Sequence, residues 1–318
     1  MATLGVDTSC YRTSLALVEG DAILGDVRRL VEVPEGGRGV RQSEGLFQHV
    51  ERIGALCEAL FAGAPGARVD AVCVSTRPRP VEGSYMPVFL AGEAVARAIA
   101  AAQRAPLFTT SHQQGHLRAA MRLSGAPQGE MLAMHLSGGT TELLRVSAQW
   151  DIELLGGTTD LHAGQLVDRI GVKLGLPFPA GPALEELCAG GQDKSLIPTA
   201  NKGLALSLSG AEAQLVRMLS DGLAPADAAC EVYSFLARTL AKLIEAGVRE
   251  SGLHNILIAG GVAASKRLRE MLLARLKRRK CPVNGYFGAP ELSGDNAVGV
   301  ALIGEEAYRK ALRAPGQA

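Results

Sequence analysis

One pattern occurs twice in this chain and limits its fold more than any other feature. Residues 2–31 read as a strand (Ala2 to Val6), a small polar segment (Asp7-Thr8-Ser9-Cys10) and a second strand (Thr13 to Val18). A tight turn at Glu19-Gly20-Asp21 leads to a third strand, Ala22 to Val31. From Met131 the order returns: strand to Leu136, turn Ser137-Gly138-Gly139-Thr140-Thr141, strand Glu142 to Val146, and strand Trp150 to Leu155 ending at Gly156-Gly157-Thr158-Thr159. The likeness is one of pattern rather than identical residues, and it predicts a duplicated unit. With 318 residues the chain is long enough for two lobes, each with its own core.

The intervening segments alternate in kind. Leu46, His49, Val50, Ile53, Leu56, Cys57 and Leu60 keep helical spacing, and His49 on that apolar stripe reads as a satisfied core histidine. Residues 34–44, rich in Gly and Arg, read as a mobile loop. Asp70 to Thr76 is a buried strand that ends in Arg77-Pro78-Arg79-Pro80, whose prolines forbid regular structure. An alanine-rich helix follows over about residues 87–103, then a short strand over 105–110. Late in the chain, Asn255 to Ala259 is a strand, Gly260-Gly261-Val262-Ala263-Ala264-Ser265 a glycine turn, and 266–278 a helix. A closing helix covers 297–312.

Composition excludes several classes. Lys+Arg 33 against Asp+Glu 32 leaves a net charge of +1, so no global field demands a nucleic-acid partner. The local basic run Arg275, Lys277, Arg278, Arg279, Lys280 reads first as the solvated end of a helix, with an RNA-contacting patch as the alternative. Six scattered cysteines without a C-x-x-C suggest neither a zinc knuckle nor a disulfide framework. Asp7 interrupts the apolar start, which argues against a signal peptide, and no apolar stretch is long enough to span a bilayer. A soluble cytoplasmic protein is expected.

Three features carry chemistry. His112 and His116, four apart where a strand hands over to a helix, lie within about 40° of one helix face and can offer two nitrogens to one divalent metal. The Ser-Gly-Gly turn at 137–139 and the Gly260-Gly261 turn can present backbone N–H groups to a phosphate, although a plain hairpin turn would look the same. Asp295, in Leu292-Ser293-Gly294-Asp295-Asn296, is either the N-cap of the closing helix or the missing oxygen ligand. A peptidase has little support, since there is no G-x-S-x-G and the histidine motif lacks the glutamate of H-E-x-x-H.

In order along the chain, these segments resemble the tRNA threonylcarbamoyladenosine synthases, the threonylcarbamoyltransferase family long mislabelled as sialoglycoprotein endopeptidases. The resemblance runs from Leu4-Gly5-Val6-Asp7-Thr8-Ser9-Cys10 to Gly294-Asp295-Asn296. It implies an α/β chain of the actin-like ATPase (ribonuclease H-like) fold, two duplicated lobes around a nucleotide- and metal-binding cleft. The expected division is a first lobe over 1–128, a second over 129–295, and a C-terminal helix, 296–318, packing back on the first. It implies one divalent metal, iron or zinc, on His112, His116 and Asp295. It further implies an adenylate substrate (threonylcarbamoyl-AMP), with ATP or ADP also possible, against Leu136, Ser137, Gly138, Gly139, Thr140, Asp168, Gly181, Gly260, Gly261 and Ser265. Asp168-Arg169 matches the family's Asp-Lys helix start, Pro179-Ala180-Gly181 its Pro-Gly-Gly, and Ser207-Leu208-Ser209-Gly210 its Phe-Ser-Phe-Ser-Gly.

The resemblance also implies the reaction, transfer of threonylcarbamoyl to the exocyclic amine of a tRNA adenosine beside the anticodon. The implied partners are tRNA, a smaller actin-like paralogue and an ATPase of the modification machinery. No general base is identified; Asp7 and His162 are the candidates. Departures from the family fall around the site. Tyr11-Arg12 replaces an Asp-Glu pair, Arg77-Pro78-Arg79-Pro80 a Gly-Pro-Gly, and Gln114 the Glu of H-x-E-G-H. Thr140 replaces a histidine, Asp160-Leu161-His162 an Asp-Asp-Ala, and Ser265 an Asn. They mark a divergent paralogue and leave two alternatives open: a carbamoyl- or acyl-adenylate transferase acting on another acceptor, and a non-catalytic scaffold partner.

Overall fold

The computed structural model describes residues 1–9, 11–33 and 40–313; Cys10 and most of the loop expected at 34–44 lie outside them. The described chain divides into two compact units, Met1–Arg122 with Gly294–Ala318, and Leu123–Ser293. The expected lobe boundaries at 128/129 and 295/296 stand beside observed ones at 122/123 and 293/294, so Asp295 belongs with the first unit.

The first unit holds β1 (Ala2–Thr8), β2 (Arg12–Glu19), β3 (Ala22–Leu30), α1 (Gln42–Gly63), β4 (Val69–Ser75), α2 (Phe89–Gln103), β5 (Leu107–Thr110) and α3 (His112–Met121). Its sheet runs β3-β2-β1-β4-β5. The first three strands form an antiparallel meander, whereas β4 and β5 join in parallel. Parallel joints need crossovers, and α1 and α2 supply them. Leu4, Val6, Leu15, Leu17, Val72 and Val74 face a core closed by Ile53, Leu60 and Ala96 of those helices.

The second unit contains β6 (Met131–Leu136), β7 (Thr141–Val146), β8 (Ile152–Thr158), α4 (Ala163–Lys173), α5 (Gly181–Cys188), β9 (Asn201–Lys202), β10 (Ala205–Leu206) and α6 (Ser209–Ser220). It continues through α7 (Pro225–Ser251), β11 (Asn255–Ala259), α8 (Lys266–Arg278) and β12 (Asn284–Phe287). Its sheet order is β12-β11-β6-β7-β8-β10-β9. Within it, β8-β7-β6-β11-β12 repeats β3-β2-β1-β4-β5 strand for strand, with the same antiparallel meander and the same two parallel joints. The duplication legible in the sequence is therefore a duplication of topology.

The closing helix α9 (Val298–Arg313) lies on the other face of the first unit's sheet. Gly5 permits this, because a Cβ there would sit 2.5 Å from the Ala297 carbonyl and 2.7 Å from Ala301 Cβ. The same helix meets α3 glycine to glycine: a Cβ on Gly299 would lie 1.8 Å from the Gly115 carbonyl, and one on Gly115 would lie 2.8 Å from Val300. Glycine at both positions lets the two backbones approach more closely than side chains allow. The residues just before α9 are thereby held against the helix that bears the histidines.

Candidate metal centre

Helix α3 starts where it does because of a capping box. Ser111 Oγ accepts from Gln114 N, and Gln114 Oε1 accepts from Ser111 N at 2.9 Å. Two further N–H groups of its first turn donate to carbonyls of the Arg-Pro-Arg-Pro loop, His112 N to Arg77 O at 2.9 Å and Gln113 N to Pro78 O at 3.0 Å. With its first turn fixed, the helix presents His112 and His116 from one face.

Asp295 meets them from the segment before α9. Its Oδ1 lies 3.0 Å from His116 Nε2 and 3.6 Å from His112 Nε2, and the two ring nitrogens are 3.0 Å apart. Asp295 is not the N-cap: α9 begins at Val298, whose N–H donates to Asn296 Oδ1. His116 is buried, while the side chains of His112 and Asp295 each keep 20% of their surface exposed, so the cluster opens to solvent through these two.

This donor set fits a divalent ion. Two nitrogens tetrahedrally bound to zinc at about 2.05 Å would be about 3.3 Å apart, and the three observed separations bracket that value. Two imidazoles and one carboxylate are a donor set suited to a first-row divalent ion.

Further residues hold these donors in place. His112 Nδ1 lies 3.0 Å from both carboxylate oxygens of Asp7, so the Nδ1 proton is fixed there and the Nε2 lone pair is turned towards the cluster. Asp7 in turn accepts from Ser75 Oγ, which the parallel β1–β4 register sets beside it. Ser9 Oγ donates to Asp295 Oδ2 at 2.8 Å, and an Arg12 guanidinium nitrogen donates to the Asp295 carbonyl at 3.1 Å. His49 donates from Nε2 to the Ser9 carbonyl and accepts at Nδ1 from Thr13 Oγ1. It is the satisfied, buried histidine expected, and burial lowers its pKa.

The electrostatics are those of a loaded trap. Burial drives His112 towards neutrality, but Asp7 and Asp295 outweigh it and hold the imidazole's pKa well above the usual value. Burial acts to raise the pKa of Asp295, and the two histidines more than reverse that, leaving it well below the usual carboxylate value. Without a metal, a proton serves the charge balance that a cation would serve.

In the second unit, the glycine turns come together. Ser137 N donates to Thr140 O, closing the β6–β7 hairpin, and Gly164 N at the start of α4 donates to Ser137 O. Beside this turn β11 ends at Gly260, whose φ of +101° and approach to the Leu136 carbonyl (2.2 Å from a built Cβ) exclude any side chain. Leu136 to Thr140 and Gly260-Gly261 thus share one end of two parallel strands. No atom lies within 4 Å of a Cβ built at Gly138, Gly139 or Gly261, so these glycines stay open to a ligand.

Other expected residues have structural work. Asp168 lies in the middle of α4, not at a helix start, and its Oδ1 accepts from Ala180 N at 2.8 Å. Burial raises its pKa. Gly181 opens α5, with its carbonyl accepting from Tyr233 Oη at 3.0 Å. Ser265 is the N-cap of α8, its Oγ accepting from Leu268 N at 3.1 Å. His162, a candidate base, is the N-cap of α4, and its N–H donates to Gln165. Asp160 joins two sequence motifs by accepting from the Ser207 and Ser209 hydroxyls and from the N–H groups of Leu208 and Ser209. In the basic run, Arg275 pairs with Asp193 and Arg279 with Glu245.

Among the described residues, no helix is long and apolar enough to cross a membrane. A family model described as tRNA N6-adenosine threonylcarbamoyltransferase matches residues 33–302. A protein of that name from Carboxydothermus hydrogenoformans is 30% identical over 319 residues, covering 98% of this chain and 94% of its own. Among solved structures, HypF of T. kodakarensis superposes with a TM-score of 0.64 at 16% identity, over 98% of this chain and 48% of that one. An activator of 2-hydroxyisocaproyl-CoA dehydratase from Clostridium difficile gives 0.57 at 14%, over the whole of both chains. These likenesses show the actin-like ATPase fold. With the family model spanning most of the sequence, the chain belongs to the tRNA N6-adenosine threonylcarbamoyltransferase family.

Proposed function

We propose that this protein transfers the threonylcarbamoyl group of threonylcarbamoyl-adenylate to the exocyclic amine of a tRNA adenosine beside the anticodon, with one divalent ion, iron or zinc, on His112, His116 and Asp295. The observation that carries the reading is the convergence of those three donors, all within 4.8 Å of one another, in a member of this family. A divalent ion held there supplies Lewis-acid polarisation of the acyl-phosphate oxygens.

The chain's own residues do the rest. Asp7 fixes the tautomer and ring plane of His112, and Ser9 aims the Asp295 carboxylate. The glycine turns at Ser137-Gly138-Gly139 and Gly260-Gly261 bind the phosphate side of the adenylate, with the Gly138 N–H as donor in the first, since those of Ser137 and Gly139 serve Thr140 O and Ser137 Oγ. The adenosine amine attacks the carbamoyl carbon, the bond to the phosphate oxygen breaks, AMP leaves with that bond's electron pair, and the amine gives up a proton to solvent. Asp7 is unsuited to receive it, because both its oxygens face His112. A chain acting on tRNA is expected in the cytoplasm, beside the smaller actin-like paralogue and the ATPase that the resemblance implies.

The test uses anaerobically purified protein, wild type beside His112→Ala. Metal content is measured together with the modified nucleoside formed from threonylcarbamoyl-adenylate and a tRNA transcript. Stoichiometric metal and product, both lost in the variant, are expected. Transfer to another acceptor is a second reading, favoured by Arg12 standing where the family has acidic residues. Metal and adenylate binding without tRNA product would select it. A wild type that binds neither would leave only a scaffold.

A further inference from the structure

Arg12 brings a positive charge to the backbone of a candidate metal ligand without a carboxylate to pair with it. Among the other half-buried or buried arginines of its unit, Arg28 ends on Asp26, Arg52 on Glu32 and Arg118 on Glu306, whereas Arg122 ends on the Asp21 carbonyl, away from the candidate metal centre. Arg12 ends on a backbone oxygen, donating to the Asp295 carbonyl at 3.1 Å. Gly294 lets the guanidinium lie close along this backbone, since a Cβ there would be 3.3 Å from the same nitrogen. Among the described residues that is its one hydrogen bond, and no carboxylate pairs with it.

A guanidinium has five N–H donors in a planar fork and is charged at any ordinary pH. Here one donor is anchored and the head is only partly exposed, so its hydration is cut without a counter-ion in exchange. The neighbouring charges do not supply one. A divalent cation among His112, His116 and Asp295 is balanced by the Asp295 and Asp7 carboxylates, which leaves the positive charge of Arg12 over. Its head is fixed to the backbone of Asp295, the residue whose carboxylate meets the two histidines.

We propose that Arg12 is an oxyanion-binding residue of this site, using its remaining donors to hold a phosphate group of the substrate beside the metal. The proposal rests on the metal reading above and adds a ligand contact made by this chain's own departure from its family. The phosphate comes from one of two sources, the adenylate donor or the backbone of the acceptor tRNA.

The experiment uses metal-loaded full-length protein, wild type beside Arg12→Gln and Arg12→Lys, with metal content and thermal melting recorded for each. Calorimetric binding of inorganic phosphate is measured first. Loss of a charge-assisted, forked contact predicts affinity about 10- to 100-fold weaker in Arg12→Gln. Arg12→Lys, keeping charge without the fork, falls between, and it also serves if the glutamine variant fails to fold.

Binding of AMP and of a tRNA transcript then separates the sources. Weakened AMP binding assigns Arg12 to the donor phosphate. Weakened tRNA binding with a shallower salt dependence assigns it to the acceptor backbone. Unchanged phosphate affinity in a folded, metal-loaded Arg12→Gln overturns the proposal while leaving the metal reading intact. A wild type that takes up no metal fails the metal reading first and takes this inference with it.

Discussion

Replacing Gly299 by alanine tests whether helix packing, rather than the ligands alone, builds the candidate metal centre. The added Cβ would lie 1.8 Å from the Gly115 carbonyl and 2.7 Å from Ala119 N, where real Cβ atoms keep at least 3.0 Å. The two backbones must therefore part by about 1.2 Å (3.0 − 1.8). Asp295 lies four residues before Gly299 on the same backbone, whereas both histidines lie on α3, so the displacement falls between ligands. Metal sites tolerate about 0.2 Å in ligand distance, and a weakening of at least 10- to 100-fold is expected, as for loss of a supporting contact. Global stability should change less. Overpacking costs about 1–3 kcal/mol, and the better helix propensity of alanine offsets at most about 1 kcal/mol of it. Gly54→Ala is the control, because a Cβ there meets nothing within 4 Å; it should raise stability and leave metal binding alone. The assay is competition with a chelating dye, alongside urea unfolding. Unchanged metal affinity in a folded Gly299→Ala would refute the reasoning, since the site would then be independent of the helix contact that positions Asp295.

Three other outcomes follow from the geometry. Asp7→Asn keeps the shape but removes the charge on His112 Nδ1, and should weaken metal binding about 10- to 100-fold at constant pH, read by the same dye competition. Burial acts against Asp160, but the Ser207 and Ser209 hydroxyls and the Leu208 N–H prevail and hold its pKa below the usual value. Its stabilising contribution is therefore present above the unfolded carboxylate pKa near 3.9 and is lost as pH falls below that towards the folded value; Asp160→Asn should flatten this acid limb in chemical unfolding at pH 3 against pH 6. Gln114→Glu keeps the acceptor that Ser111 N requires and adds negative charge at a helix N-terminus, so it should stabilise by about 0.3–1 kcal/mol, and a lower melting temperature would contradict the capping assignment.

Much of the fold was readable because turn residues punctuate it. Strands β6 and β11 and helix α8 span the residues expected, each bounded by glycine or a capping serine. The failures have local causes. β8 runs on to Thr158 through Gly156-Gly157, which read as a strand end; these glycines lie inside the strand because the Leu204 and Thr141 carbonyls approach within 2.1 and 2.4 Å of a built Cβ. Helix α7 was not read from the sequence; it is buried round most of its girth from Ala228 to Val248, which leaves only a narrow polar stripe at Arg238, Lys242 and Glu245. At the site, His112 and His116 were legible from their spacing, whereas Asp295, 179 residues further on, read as either an N-cap or a ligand until the resemblance assigned it. Ser9, Ser75 and Arg12 as their supports were not legible, since each depends on pairing or packing between segments up to 286 residues apart in the chain.

The departures from the family divide by what each position must supply. Position 114 must supply an acceptor to the Ser111 N–H, and an amide oxygen does that as well as a carboxylate. The Arg77-Pro78 segment serves α3 through two backbone carbonyls, which any side chain leaves in place. Ser265 caps a helix start, a task for which serine and asparagine are near equals. These exchanges are neutral for the framework, so they say nothing about lost activity. Arg12 is different in kind, because it changes the sign of a charge at the backbone of a candidate metal ligand. A positive group there adds attraction for an anion without displacing any of the three donors. On the proposed reading, the divergence lies in what the centre would attract, with the three candidate donors kept.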